Sequence, residues 1–374
     1  MTASKVIFAK SNGFWKELNR RVEAYFQAEN ISKRDNPQMY LKTVIILLWM
    51  IAAYTFTLFG PPVMGLKILG CIVFALGLAG FAFCVGHDAN HGGYSNHKWV
   101  NYSLGLTYDL IGLSSYLWKF RHNYLHHTYT NILGHDVEIH GDGLVRMSPD
   151  MPHEWYHKFQ HLFIWFIYPF IPLYWSLCDV QIILFKRKYH DHVVPKPSFV
   201  KLATLLLGKV GWLGIFIGVP LAVGYTPLQV ILGFILTFFT YGLLICEVFM
   251  LAHVMDTAEF ITPTAEENRI EDEWAIFQVR TTVDFAPNNP FVTWYVGGLN
   301  YQVVHHLFPH ICHIHYPQIS KILAEVCQDF GVNYQIYHTL SGAIASNYNW
   351  LKAMSFPPET AVTKPRQLAS NLVE

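Results

Sequence analysis

Two pairs of long apolar runs dominate the hydropathy pattern of the chain, and polar stretches rich in histidine lie between and after them. Thr43 to Phe59 and Leu66 to Val85 are joined by the turn GPPVMG; Leu202 to Val223 and Leu228 to Ala252 are joined by Gly224-Tyr225-Thr226-Pro227. Each run approaches the ~20 residues that a helix needs to cross hydrocarbon. The pattern predicts an all-α integral membrane protein with four transmembrane helices in two hairpins. Ser103 to Leu117 and Leu162 to Cys178 are apolar too, but the second holds Pro169, Pro172 and several aromatic residues, which points to an interfacial or re-entrant segment.

Near the N-terminus, Phe14, Trp15, Leu18, Val22, Tyr25 and Phe26 recur at helical spacing opposite Lys16, Arg20 and Arg21. That is an amphipathic helix, lying on the membrane surface or packed on the protein itself. Asp35-Asn36-Pro37 ends the segment. Beyond His253 the chain is soluble in character: Ile319, Ile322, Leu323, Val326 and Phe330 form one helical stripe, and Glu266 to Glu273 reads as an acidic surface loop. The predicted organisation is a cytosolic or interfacial segment (1–42), a hairpin (43–85), a cap segment (86–201), a second hairpin (202–252), a second cap segment (253–356) and a disordered tail (357–374).

Composition agrees with a membrane protein, since 52% of the 374 residues are hydrophobic and only 14% charged. Lys plus Arg equals Asp plus Glu at 26 each, so no global charge points to a nucleic-acid partner. Local charge is more informative. Lys5, Lys10, Lys16, Arg20, Arg21, Lys33, Arg34 and Lys42 precede the first hairpin, Lys186, Arg187 and Lys188 separate the two, and the hairpin turns carry none. The positive-inside rule then places both termini and the histidine-rich segments in the cytoplasm. The six cysteines form no CxxC pair and suit buried apolar positions.

Histidine spacing carries the chemistry. HDANH sets His87 and His91 four apart, HNYLHH sets His122 and His126 four apart with His127 one step round, and QVVHH places Gln302, His305 and His306 within one helical turn. A tetrahedral zinc site uses at most four protein ligands. Seven clustered histidines, with Gln302 and His253 beside them, suit two metals of higher coordination, and two irons that activate O2 are the better fit. Asp88, Asp109, Asp136, Glu138 and Asp284 are placed to orient imidazoles from behind, while His135, His140, His310, His313 and His315 are structural or outer neighbours before they are ligands. A metal cap above membrane helices would meet an acyl chain in an apolar tunnel. Glu247, close to His253 in an apolar run, is a further functional suspect.

HDANH, HNYLHH and QVVHH resemble the three histidine boxes of membrane fatty acid desaturases, and Gln302 at the first position of the third box resembles the front-end group. SSYLWKFRHNYLHHTYTNILGHDVEIHG, DEWAIFQV, TTVDFAPNNP and GGLNYQVVHHLFPHICHIHYP are closely similar to the cyanobacterial acyl-lipid Δ6 branch of that family. The resemblance implies a di-iron centre held by His87, His91, His122, His126, His127, His305 and His306, with Gln302 as a ligand or bonded to a bound water. It also implies O2 as co-substrate and conversion of linoleoyl, and secondly α-linolenoyl, groups on glycerolipids of the thylakoid or plasma membrane. His253 matches a further ligand of stearoyl-type relatives, although the Asn those carry four residues earlier is Phe249 here. The HPGG haem motif of many eukaryotic front-end enzymes does not occur, and the resemblance implies ferredoxin as a separate electron donor. The same residues also suit another regiochemistry, a di-iron hydroxylase or ketolase, and a non-catalytic membrane receptor with one structural zinc.

Overall fold

The computed structural model describes residues 6–263 and 268–357. Residues 358–374 of the expected tail, and 264–267 at the acidic loop, lie outside the described residues. In chain order the main helices are α1 (Phe14–Ala28), α2 (Pro37–Phe59), α3 (Met64–His91), α4 (115–129), α5 (Trp155–Lys186), α6 (Phe199–Ala222) and α7 (Pro227–His253). They continue with α8 (Trp274–Thr281), α9 (Gln302–Leu307), α10 (Tyr316–Phe330) and α11 (Leu340–Ala353). Strands β1 (Ile7–Phe8) and β4 (Arg269–Ile270) pair in parallel, β2 (Lys188–Tyr189) and β3 (His192–Val193) form a hairpin, and β5 (Asp284–Phe285) pairs in parallel with β6 (Ile336–Tyr337).

Among the described residues five helices are long and apolar enough, by length and composition, to cross a membrane: α2, α3, α5, α6 and α7. The additional one is α5. Its two prolines do not break it, because a 3-10 turn at Tyr168–Phe170 takes up Pro169 and Pro172 opens the next helical turn, so the apolar stretch joins its flanks in a helix of 32 residues. Trp155, Phe159, Leu162, Phe166, Phe170, Tyr174 and Leu177 are exposed along one face of α5, while His157, Gln160, Ile164, Tyr168, Ser176 and Asp179 are buried on the other. The helix is thus apolar outward and partly polar inward, the inverse of a soluble amphipathic helix.

α2 begins six residues before the apolar run. Asn36 accepts a hydrogen bond from the Gln38 N–H at 2.9 Å and Pro37 occupies the first turn, so the Asp35-Asn36-Pro37 break is a helix start as well as an end. A short turn folds α3 back along α2, and Lys67 Nζ donates to the carbonyls of Thr57 (2.8 Å) and Gly60 (3.0 Å), satisfying the end of α2. The apolar window of α3 is 61% buried inside the protein against 17% for α2, which makes α3 the inner helix of the pair. α5 crosses α7 at Gly242, where an added Cβ would lie 2.0 Å from the Pro169 carbonyl oxygen.

The amphipathic N-terminal helix packs on the protein. Phe14, Leu18, Val22 and Phe26 of α1 share a core with Ile319, Leu323 and Val326 of α10, and Arg21 donates to Asp329 at 2.5 Å. Part of the expected acidic loop is ordered by the same helix: Glu273 accepts from the N–H groups of Asn12 (3.0 Å) and Trp15 (2.8 Å), capping the start of α1.

Candidate metal centre

The C-terminal ends of α3 and α7 deliver His87, His91 and His253, and α4 and α9 bring the other histidines to them. Ala82–His87 of α3 and Lys119–His126 of α4 are π-helical, a widening of the turn that recurs at functional sites. His122 and His126, four apart on α4, stay on one face with their rings stacked at 5.1 Å, yet they belong to different clusters, so the two clusters adjoin along this helix.

One cluster joins His87, His91, His122 and His305, with ligand atoms all within 4.8 Å of one another; the second joins His126, His253 and His306, again within 4.8 Å. His127 lies between them, its ring 4.7 Å from that of His305 and stacked at 4.3 Å on His306. The Gln302 amide nitrogen is 2.9 Å from His253 Nε2, which puts this residue on the side of the second cluster. All nine candidate ligands are therefore brought together. Adjacent His305 and His306 point to different clusters, their rings perpendicular at 90°.

The donor atoms suit metal ions. Nε2 of His91, His126, His305 and His306 is buried without a hydrogen-bond partner among the described residues, an arrangement that proteins rarely leave unfilled. Burial, followed by the charge of neighbouring imidazoles, holds His122, His127, His305 and His306 well below the ordinary histidine value of 6.5. They are neutral at pH 7, the form that binds metal.

The fatty acid desaturase family profile matches residues 62–338, about three quarters of the chain. The chain belongs to the fatty acid desaturase family. It is 64% identical to the sn-1 linoleoyl-lipid 6-desaturase of Arthrospira platensis, over 96% of this chain and 97% of that one. It is 56% identical to the sn-1 linoleoyl-lipid 6-desaturase of Synechocystis sp. (strain ATCC 27184 / PCC 6803 / Kazusa), over 95% of this chain and 99% of that one. The acyl-lipid (8-3)-desaturase of Physcomitrium patens is 31% identical over 92% of this chain and 72% of its own. This is a membrane desaturase, an oxidoreductase of lipid metabolism.

Behind the imidazoles of the desaturase lies a set of orienting groups. Asp136 accepts from His126 Nδ1 at 2.9 Å, so the proton sits on Nδ1 and the Nε2 lone pair faces the cluster. It also accepts from the N–H groups of Asn131 and Glu138, both at 2.9 Å. Gln278, in the DEWAIFQV stretch, does the same for His306: its amide nitrogen donates to the His127 carbonyl (3.1 Å), which turns its oxygen to His306 Nδ1 at 2.8 Å. Tyr316 Oη is 3.4 Å from His305 Nδ1. No spacing in the sequence marks Gln278 or Tyr316, because each acts from a different helix.

The other candidates act at greater remove. Asp88 lies 4.0 Å from His87 Nδ1 and accepts from His313 Nδ1 at 2.9 Å, while Lys42 Nζ donates to His313 Nε2 at 2.8 Å. Asp284 touches no imidazole: it accepts from the Val303 N–H at 2.9 Å and from Tyr334, fastening the first turn of α9 to β5. Glu138 pairs with Arg121 at 2.8 Å and lies 3.8 Å from His122 Nδ1. Asp109 accepts from the Ser115 N–H at 3.3 Å, at the start of α4. His135, His140, His310 and His315 belong to neither cluster. Phe249 packs on His253 and His126, with ring centroids 4.7 and 5.3 Å away.

A cavity of about 110 Å³ opens beside the first cluster, its lining mostly apolar, with Phe83, Trp118, Val248 and Phe249 among it, and including His87, His122, Gln302 and the Arg121–Glu138 pair. Within that lining Trp118 stacks on His122 with ring centroids 4.4 Å apart.

Two results are expected from this arrangement. Asp136→Asn should lower metal affinity or activity by roughly 10–100-fold, as loss of an outer partner does elsewhere; iron content and product yield measure it, and wild-type values for both would remove Asp136 from that role. Metal-stripped protein should lose thermal stability as pH falls below 6.5. The unfolded chain then takes up protons that the depressed histidines refuse, so stability is present above 6.5 and is lost below it. A melting temperature independent of pH between 7 and 5.5 would contradict this.

Proposed function

We propose that this desaturase inserts a cis double bond at C6 of linoleoyl, and secondly α-linolenoyl, groups of glycerolipids, using two irons, O2 and two electrons from a ferredoxin. The observation that carries the regiochemistry is the 64% and 56% identity, over nearly the full chain, to two relatives that both bear the name sn-1 linoleoyl-lipid 6-desaturase. Support for two ions comes from the division of the buried imidazoles into two clusters. His87, His91, His122 and His305 would hold one ion and His126, His253 and His306 the other, with His127 and Gln302 completing the set. When bound, the pair supplies with O2 the oxidant that an unactivated methylene requires.

The chain itself positions, shields and orients. The apolar walls of the cavity hold acyl methylenes next to His87 and His122 and exclude water, while Asp136 and Gln278 keep their imidazoles in one tautomer. In the balanced reaction two hydrogens leave adjacent carbons. With two electrons and two protons from the donor side they reduce O2 to two waters.

α2 with α3 and α6 with α7 are the hairpins that cross the bilayer in this reading, and 86–201 with 253–356 form the cytoplasmic cap. α5 lies in the interface. Both of its ends meet cap elements, Gln160 donating to the Arg146 and Leu351 carbonyls and Asp179 accepting from the Ser114 N–H, while its outward stripe is apolar. Lys186, Arg187 and Lys188, at the end of α5, offer positive charge to an acidic electron carrier.

The test is chromatography with mass spectrometry of fatty acid derivatives from a host supplied with linoleate and ferredoxin. A Δ6,9,12 triene is the expected product. A double bond elsewhere overturns the regiochemistry, and an alcohol indicates a hydroxylase. Purified enzyme should turn over only with ferredoxin and its reductase; equal turnover without them excludes that donor role.

A further inference from the structure

A third group of metal-ligating side chains lies outside the buried centre, in two surface turns. Asp142 occupies the turn Gly141–Gly143 and His190 the tip of the β2–β3 hairpin. His140 Nδ1 is 3.2 Å and His190 Nε2 3.4 Å from the same oxygen, Oδ1 of Asp142. The two rings lie face to face with centroids 3.9 Å apart and planes inclined by 30°. None of the three belongs to either buried cluster, and their side chains are 37%, 45% and 28% exposed for His140, Asp142 and His190, open to solvent ions.

The His140–Asp142 distance is that of a hydrogen bond, and the pair of approaches to one oxygen is also that of ligands around one ion. Ligand atoms that share one tetrahedral or octahedral ion, at bonds of about 2.0–2.2 Å, sit about 3.0–3.4 Å apart. One carboxylate oxygen approached by nitrogens of two stacked imidazoles matches that spacing. Backbone conformation agrees: Asp142 (φ 48) and His190 (φ 50) are both in the left-handed region, where residues other than glycine are uncommon and where strained ligand-holding positions concentrate. Two imidazoles and a carboxylate are donors for divalent first-row ions, with the remaining positions left to water.

We propose that His140, Asp142 and His190 form a third, solvent-facing site for a divalent transition ion, which fastens the loop bearing Asp136 and Glu138 to the β2–β3 hairpin. Asp136 bonds to His126 and Glu138 to Arg121, so the clamp holds the outer support of the buried centre from its solvent side.

The test uses full-length, iron-loaded protein in detergent, with Zn2+ as the probe, followed by calorimetric titration and thermal unfolding. Wild type should bind one Zn2+ without release of iron and should melt at a higher temperature as Zn2+ rises. His190→Ala and the milder Asp142→Asn should weaken that binding by about tenfold or more, since losing a ligand costs at least as much as losing an outer partner. His338→Ala, an exposed histidine elsewhere, should change nothing. Equal Zn2+ binding by wild type and both variants would overturn the site, as would the absence of saturable binding or uptake only in exchange for iron. These readouts involve no acyl substrate, so an error in regiochemistry leaves them unaffected.

Discussion

His126→Ala is expected to give a membrane-inserted, folded protein that makes no detectable double bond. His126 is fully buried and is one of the three imidazoles that make up the second cluster, so its loss would leave His253 and His306 to hold the proposed ion with help only from His127 and Gln302. The effect should exceed the roughly 10–100-fold expected for an outer partner, because in the proposed reading His126 would hold the ion itself. The fold should survive, since Asp136 keeps the N–H groups of Asn131 and Glu138 and is not left as an unpaired buried charge. His305→Ala is the matching change in the first cluster. Fatty acid analysis together with iron content measures both, and near-normal product at normal protein level would remove that residue from the ligand set.

Gly242→Val should be the most damaging change away from the centre. With the backbones of α5 and α7 in contact at Pro169, even a first carbon would meet the Pro169 carbonyl at 2.0 Å, and the helices must separate to admit it. Overpacking typically costs about 1–3 kcal/mol and more where backbone opposes backbone. Separation would also move Cys246 and Met250, both in the cavity wall and both bonded to Tyr168. Gly233→Val on the same helix is the control, because its Cβ meets only Cys71 Sγ at 3.7 Å. Thermal unfolding in detergent should separate the two variants clearly; equal melting temperatures would mean that the α5–α7 crossing yields easily.

The helices that could be read in advance are those whose signal is local. Apolar runs mark α2, α3, α6 and α7, and the box spacings mark the histidines that meet. α5 was harder to read because its prolines and polar residues resemble a break until their burial is seen, and apolar length alone does not distinguish a crossing helix from one that lies flat. The division of ligands was also hidden. Helical spacing puts His122 beside His126, and their rings do stack at 5.1 Å, but which cluster each joins depends on the partners that α3, α7 and α9 bring from elsewhere in the chain. Gln278 and Tyr316 were invisible because an outer partner needs only a contact across space, which leaves no period in the sequence. The apolar face of α1 is covered by α10, about three hundred residues further along the chain, a contact that leaves no local signal.

α4 and α9 each give a histidine to both clusters, and this has a consequence for biosynthesis. The first cluster needs α3, α4 and α9, and the second needs α4, α7 and α9, so neither can close before His305 and His306 have left the ribosome. A nascent chain with both hairpins already inserted still lacks a closed cluster of either kind. With the proposed pair of ions, metal capture would thereby be coupled to synthesis of most of the polypeptide, and a chain truncated before α9 would lack the closed cluster that a partly loaded, oxygen-reactive by-product requires.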